Sequence, residues 1–261
     1  MSSADPIELT AMLAFAQELA DAARPIAMRY FRQPVLVETK ADHSPVTIAD
    51  RAIESEMRRM ISERFPGHGV FGEEFAEQIG RDCTWVLDPI DGTRSFITGM
   101  PLFGTLIALM RGADPVLGVV DFPALRERWV GRAGEATLCN GQPARASACR
   151  SLEQARCYCT SPDMFDPADG QRFDALSARV AMRRFGGDCY GYALLASGHC
   201  DLVVEAGLKP YDYLPLVPVI EGAGGRITDW QGGRLGFESD GRVVAAASEE
   251  LLRQAMDALA G

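Results

Sequence analysis

The residues of this chain best suited to chemistry are a set of carboxylates with turn signals around them. The apolar run Trp85-Val86-Leu87 ends abruptly in Asp88-Pro89-Ile90-Asp91-Gly92-Thr93. Such a run reads as the end of a buried strand bounded by a turn. Pro89 fixes its own φ and pushes Asp88 into an extended conformation, so Asp88 and Asp91 can be aimed from one rigid loop toward one point. Gly92 allows close backbone approach, and Thr93 suits a helix start. A helix N-terminus beside two carboxylates fits a metal-bridged phosphate, with the N–H groups taking the anion and the carboxylates the cation. Turn chemistry alone would also explain Pro89 and Gly92. The strand in front of them favours a site, because ligands of α/β proteins bind at strand ends.

Further acids lie on either side. Gly72-Glu73-Glu74 follows Val70-Phe71, and before it comes the segment from Lys40 through Ser44-Pro45-Val46-Thr47 to Asp50. Downstream stand Lys209-Pro210-Tyr211-Asp212-Tyr213-Leu214 and Glu221-Gly222-Ala223-Gly224-Gly225. Together these motifs resemble the inositol monophosphatase-like family of Mg2+-dependent, lithium-sensitive phosphatases, over the stretch from about Lys40 to Asp229. Within that family, the segments Arg94 to Leu109, Gly186 to Tyr192 and Leu208 to Leu216 look like the histidinol-phosphate phosphatases. The inositol-1-phosphate branch more usually carries Asn-Phe and Trp-Asp where Ser95-Phe96 and Tyr211-Asp212 stand here.

The resemblance implies a fold, a site and a reaction. The fold is a layered αβαβα sandwich of the inositol monophosphatase and fructose-1,6-bisphosphatase type, in the mixed α/β class. Glu73, Asp88 and the backbone carbonyl of Ile90 are implied to hold one Mg2+, and Asp88, Asp91 and Asp212 a second. A third, weaker Mg2+ would use Glu73 and waters. Oxygen donors suit Mg2+ better than histidine or cysteine would. Thr93 and Asp50, with Glu73, would orient and deprotonate the attacking water, and the N–H groups of Gly92 and Thr93 would hold the phosphate. Lys40 would support the carboxylate cluster. Asp188 and Glu205, with Asp212, fall at substrate-contacting positions, and two acids there suit a cationic alcohol such as histidinol. The reaction expected is hydrolysis of L-histidinol phosphate, in histidine biosynthesis. Alternatives are an inositol-1-phosphate or broad small-molecule phosphatase, or a non-catalytic phosphate or metal sensor. A homodimer is also implied.

Each position has an ordinary explanation when read singly. Asp50 can be a first-turn carboxylate favoured by the helix dipole. Thr93, Asp188 and Asp212 can be helix caps, and Glu73, Glu74, Glu205 and Lys40 can be solvated. Read jointly, those explanations leave the shared pattern to chance.

Composition bounds the rest. The 261 residues are 47% hydrophobic and 24% charged, as in an ordinary globular protein with ample core. The formal charge of −10 argues against nucleic-acid binding. It is compatible with a phosphorylated substrate once bound divalent cations reverse the local sign. No apolar run approaches the ~20 residues needed to span a bilayer. The N-terminus lacks the pattern of a signal peptide. The seven cysteines show no Cys-x-x-Cys spacing, and buried thiols in a reducing cytoplasm are expected.

Helical spacing runs from Pro6 to about Tyr30, and a second helix begins at Thr47 with Asp50 in its first turn and is stopped by Pro66-Gly67. Strands are expected at Val35–Glu38, Gly69–Phe71, Thr84–Leu87, Gly104–Met110, Val116–Asp121 and Glu127–Gly131. The second half alternates helices (Gln171–Ala181, Cys189–Ala196, Asp212–Gly222, Leu251–Leu259) with strands (Asp201–Glu205, Val243–Ala246). An N-terminal α+β lobe over 1–140 would carry most metal ligands. A C-terminal α/β lobe over 141–261 would carry the specificity residues and one metal ligand.

Overall fold

The computed structural model describes residues 6–34, 37–39 and 45–261. Lys40, the polar loop around it and the start of the expected first strand lie outside the described residues.

The N-terminal apolar stripe forms α1 (Pro6–Tyr30), as its spacing predicts. Two short strands, β1 (Val37–Thr39) and β2 (Pro45–Thr47), pair antiparallel and lead into α2 (Ile48–Arg64). A capping box starts α2. The Ala49 N–H donates to the Thr47 hydroxyl, and the Thr47 N–H donates to the Asp50 carboxylate.

Seven strands then make the first sheet. They are β3 (Gly69–Gly72), β4 (Cys83–Asp91), β5 (Gly104–Arg111), β6 (Asp114–Phe122), β7 (Glu127–Arg132), β8 (Leu138–Cys139) and β9 (Gln142–Pro143), adjacent in that order. The short helix α3 (Thr93–Thr98) interrupts them after β4. Strand β3 runs parallel to β4, and the later pairs are antiparallel.

The rest of the chain supplies β10 (Arg156–Cys159), α4 (Pro167–Ser177), β11 (Met182–Phe185), α5 (Tyr190–Ala196), β12 (Leu202–Glu205), α6 (Pro210–Tyr213), α7 (Leu216–Gly222), β13 (Arg226–Thr228), β14 (Val243–Ala246) and α8 (Glu249–Ala260). The second sheet has the order β11-β10-β12-β14-β13, with β11, β10 and β12 mutually parallel. The first sheet runs through Pro143 and the second begins at Arg156.

Strand alternation builds the layers. Trp85 and Leu87 of β4, Ile107 and Leu109 of β5, and Leu117 and Val119 of β6 pack against α1 and α2. Their neighbours Val86, Leu106, Ala108, Val120 and Phe122 face the opposite way, onto α5 and α7 and onto Val203, Val243 and Ala245 of the second sheet. The far side of that sheet, with Cys157, Cys159, Leu202, Val204 and Val244, packs on α4 and α8. Three cores thus hold five layers together in an αβαβα sandwich, the middle core enclosing the layer of α5 and α7 between the two sheets and drawing side chains from both halves of the chain.

Two elements differ from the sequence reading in ways that bear on the site. Strand β4 does not stop at Leu87 but continues through Asp91, with a register break between Asp88 and Asp91. Asp88 pairs with Leu106 and Asp91 with Gly104, so one extra residue sits on β4 as a bulge. Pro89 cannot donate to the ladder, and its carbonyl accepts instead from the Thr105 hydroxyl at 2.8 Å. The expected helix Asp212–Gly222 is broken into α6 and α7. Pro215 and Pro218 have no N–H with which to continue one hydrogen-bond ladder. All seven cysteines are free thiols, five of them buried.

Candidate active site

The bulge decides which side chains share a face. Asp88 follows Val86 and so points toward the middle layer. In an unbroken strand Ile90 would be next on that face. The extra residue sends Ile90 into the core beneath α1 and α2 and leaves Asp91 beside Asp88. Strand β3 brings Glu73 to the same place, because Gly72 pairs with Leu87 in parallel register and Glu73 follows it next to Asp88. Helix α6 approaches β4 and β5 from the middle layer carrying Asp212. Asp212 is fixed by the Lys209 N–H, which donates to Oδ2 at 2.7 Å.

Carboxylate oxygens of Asp88, Asp91 and Asp212 lie within 4.8 Å of one another, as do those of Asp50, Glu73 and Glu74. Burial pushes the Asp88 carboxyl well above the usual range, and the charges of Glu73, Asp91 and Asp212 push it further. Asp91 is raised well above its ordinary value by burial and by Asp212 and Asp188. Asp212 is pushed up to about 7, again chiefly by burial. So many buried carboxylates cannot all ionise without a cation. Asp88 Oδ1 is buried with no hydrogen-bond partner among the described residues, which is costly unless something binds there. An all-oxygen donor set with such an orphaned oxygen fits Mg2+.

Thr93 opens α3, behind Gly92 in the left-handed conformation (φ 80°), and its hydroxyl donates to the Ile90 carbonyl at 3.2 Å. Asp50 is almost fully buried, and its Oδ2 accepts from the N–H and hydroxyl of Thr47. Its Oδ1 has no partner among the described residues. Burial raises its pKa to about 6. No hydrogen bond links Asp50 to Thr93 among the described residues; Asp50 gathers with Glu73 and Glu74 instead.

The second sheet contributes the other wall. The parallel strands β10, β11 and β12 all end at this edge and deliver Thr160, Asp188 and Glu205 from their C-terminal ends, the usual place for an α/β site. Glu205 is buried, with Oε1 accepting from the Thr160 N–H and Oε2 from the Tyr192 hydroxyl, both at 2.9 Å. Burial raises its pKa, and these hydrogen bonds oppose the rise. Asp188 does not cap α5; its Oδ2 accepts from the Ser95 hydroxyl at 2.6 Å. The Cys189 N–H next to it donates to Asp91 Oδ1 at 2.9 Å. A cavity of about 110 Å³ runs between the walls, lined by Asp91, Asp188, Glu205 and Asp212 with Met164, Leu208 and Leu216.

One supporting residue was not visible in the sequence reading. Glu54 of α2 is buried, pairs with Arg58 at 2.7 Å and accepts the Glu74 N–H at 2.7 Å. It lies so close to Gly72 that a β-carbon there would sit 2.0 Å from its Oε1. Glu54 therefore fixes the backbone of Gly72-Glu73-Glu74. An acid on the buried face of an amphipathic helix was the available signal.

The family model for inositol monophosphatases matches residues 8–260. The chain belongs to the inositol monophosphatase family. It is 46% identical to the bifunctional phosphatase IMPL2, chloroplastic, of Arabidopsis thaliana, over 97% of this chain and 76% of that protein. It is 39% identical to the histidinol-phosphatase of Chlorobaculum parvum, over 91% of this chain and 93% of the relative. A solved inositol monophosphatase from Zymomonas mobilis superposes with a TM-score of 0.90 at 43% identity, each chain being covered in full. The family is one of metal-dependent phosphatases acting on small phosphate esters, and the acidic clusters described above could hold such metal ions. Among the described residues, no helix is long and apolar enough to cross a membrane.

Proposed function

We propose that this phosphatase hydrolyses L-histidinol phosphate to L-histidinol and phosphate, in histidine biosynthesis in the cytoplasm. The observation that carries the reading is the pair of acids, Asp188 and Glu205, in the cavity next to Asp91 and Asp212. An inositol leaving group offers these carboxylates only neutral hydroxyl donors, whereas an ammonium and an imidazole offer charge-assisted hydrogen bonds, which are roughly twice as strong. Met164, Leu208 and Leu216 supply an apolar surface for the ring. The likeness to a relative named histidinol-phosphatase supports the same choice.

In this reading Glu73, Asp88, Asp91, Asp212 and the Ile90 carbonyl would hold the Mg2+ ions, two or three in number. Bound there, Mg2+ supplies positive charge for the phosphate and for the oxygen of the departing alcohol. The chain does the rest. The N–H groups of Gly92 and Thr93 orient the phosphate. Thr93, Glu73 and Asp50 align the attacking water, and the carboxylates take its proton as the oxygen–phosphorus bond forms; the ester bond breaks and the departing histidinol oxygen takes up a proton from water. Lys40 supports the carboxylates. A homodimer belongs to the same proposal and is checked by sedimentation.

A second reading has its own support. The likeness to the Zymomonas mobilis inositol monophosphatase favours inositol-1-phosphate or a broad range of small esters. Phosphate release from histidinol phosphate and inositol-1-phosphate, side by side with Mg2+ and with EDTA, separates the two. Mg2+-dependent preference for histidinol phosphate supports the proposal; preference for inositol-1-phosphate replaces it.

A further inference from the structure

The loop that carries Asp188 is built in an unusual way. Gly186, Gly187 and Asp188 have successive positive φ values of 81°, 134° and 47°. The two glycines adopt such angles freely, and Asp188 holds a left-handed conformation that aspartate takes up more readily than most side chains. Three contacts hold the loop in place here. The Ser95 hydroxyl donates to Asp188 Oδ2 at 2.6 Å from a position 93 residues earlier in the chain. Gly92 presents a bare Cα to the carboxylate, and a β-carbon there would lie 2.9 Å from Oδ2. The Cys189 N–H ties the following residue to Asp91 at 2.9 Å. Ser95 is itself anchored, because its neighbour Phe96 is buried against Phe31 and Phe103. Among the described residues, the hydrogen bonds to this carboxylate engage Oδ2 alone, and Asp188 lines the cavity.

We propose that Ser95 is a positioning residue for substrate selection. Its hydroxyl holds Oδ2 against α3, which turns Oδ1 toward the cavity to receive the cationic group of the departing alcohol. Ser95 touches no reacting atom and acts through Asp188. The inference rests on the reading that the alcohol is cationic. It adds the reason that a small hydroxyl residue follows Thr93-Arg94: a longer side chain would displace the carboxylate, and alanine would leave it free to rotate.

The test uses the full-length enzyme at saturating Mg2+ with two substrates, histidinol phosphate and glycerol-2-phosphate, whose alcohol is neutral. Wild type, Ser95→Ala, Ser95→Thr and Asp188→Ala are compared. Ser95→Ala is expected to raise KM for histidinol phosphate on the order of tenfold, the scale of one hydrogen bond to a charged group. Its kcat and its KM for glycerol-2-phosphate should stay within about twofold, below the scale of one such bond, and Ser95→Thr should restore the wild-type KM. Equal losses on both substrates, or no rescue by threonine, would make Ser95 merely structural and overturn the proposal. If Asp188→Ala loses discrimination but Ser95→Ala retains it, the positioning role alone fails. A wild-type enzyme that does not favour histidinol phosphate would instead remove the reading beneath it, and the proposal with it.

Discussion

At one end of the cavity, Asp88, Asp91 and Asp212 crowd their oxygens within 4.8 Å, and Asp88 Oδ1 is buried without a donor. At the other end, Glu205 receives hydrogen bonds from Thr160 and Tyr192, and Asp188 receives one from Ser95. Both regions are acidic and buried, and in both burial raises the carboxyl pKa values. The difference lies in what the protein itself supplies. The crowded end gives Asp212 and Asp91 one backbone N–H each, from Lys209 and Cys189, and leaves Asp88 Oδ1 without a donor amid the other carboxylates, so it demands a cation of high charge density. The other end meets both Glu205 oxygens with its own donors and leaves Asp188 Oδ1 for a weaker, exchangeable ligand. Acid content alone therefore does not identify a metal site; crowding around an orphaned buried oxygen does.

The strongest way to break this contrast is Asp91→Asn. Turnover with Mg2+ should fall by at least ~100-fold, in line with loss of a preorganised electrostatic contact. Thermal stability without divalent cations should be unchanged or higher, because one crowded charge is gone. Wild-type-like phosphate release would sink the metal assignment. Next in size, Asp188→Ala should lower kcat/KM for histidinol phosphate by roughly 10–100-fold, the worth of a charged hydrogen bond. A neutral ester such as glycerol-2-phosphate should be affected far less, and equal losses would remove Asp188 from substrate selection.

The support beneath the crowded end can be probed separately. Gly72→Ala places a methyl against the buried Glu54 carboxylate and should cost about 1–3 kcal/mol of stability by overpacking. Denaturant unfolding measures this; Mg2+ affinity should fall in parallel if Glu54 sets the position of Glu73, and should hold if it does not.

The smallest effect is a pH dependence. Asp50 is raised to about 6 and Asp212 to about 7 from an unfolded value of 3.8. Between those values the folded state holds more protons than the unfolded one, so stability without divalent cations should fall as pH rises from about 4 to about 7. Added Mg2+ binds the ionised form and should raise Tm more at pH 8 than at pH 5. A Tm shift independent of pH would show that the carboxylates are already ionised without the cation.

The sequence by itself determined what is local. The apolar spacing of Leu9, Phe15, Leu19 and Ala23 placed α1. Thr47 and Asp50 marked the start of α2, and Asp88-Pro89-Ile90-Asp91-Gly92-Thr93 announced two aimed carboxylates. These follow from side-chain period and from the fixed φ of proline, which act over a few residues. The tertiary structure decided what depends on pairing across the chain. The bulge that puts Asp91 rather than Ile90 beside Asp88 exists only once β4 is paired with β5. The strands β10 and β11, Arg-Cys-Tyr-Cys and Met-Arg-Arg-Phe, lack the Val-Val pairs that marked the equally short β12 and β14, yet their parallel ends deliver Thr160 and Asp188. The bonds of Ser95 to Asp188 and of Glu54 to Glu74 span 93 and 20 residues. No local pattern encodes such distances, because they are set by which layers stack and by how the strands register within them.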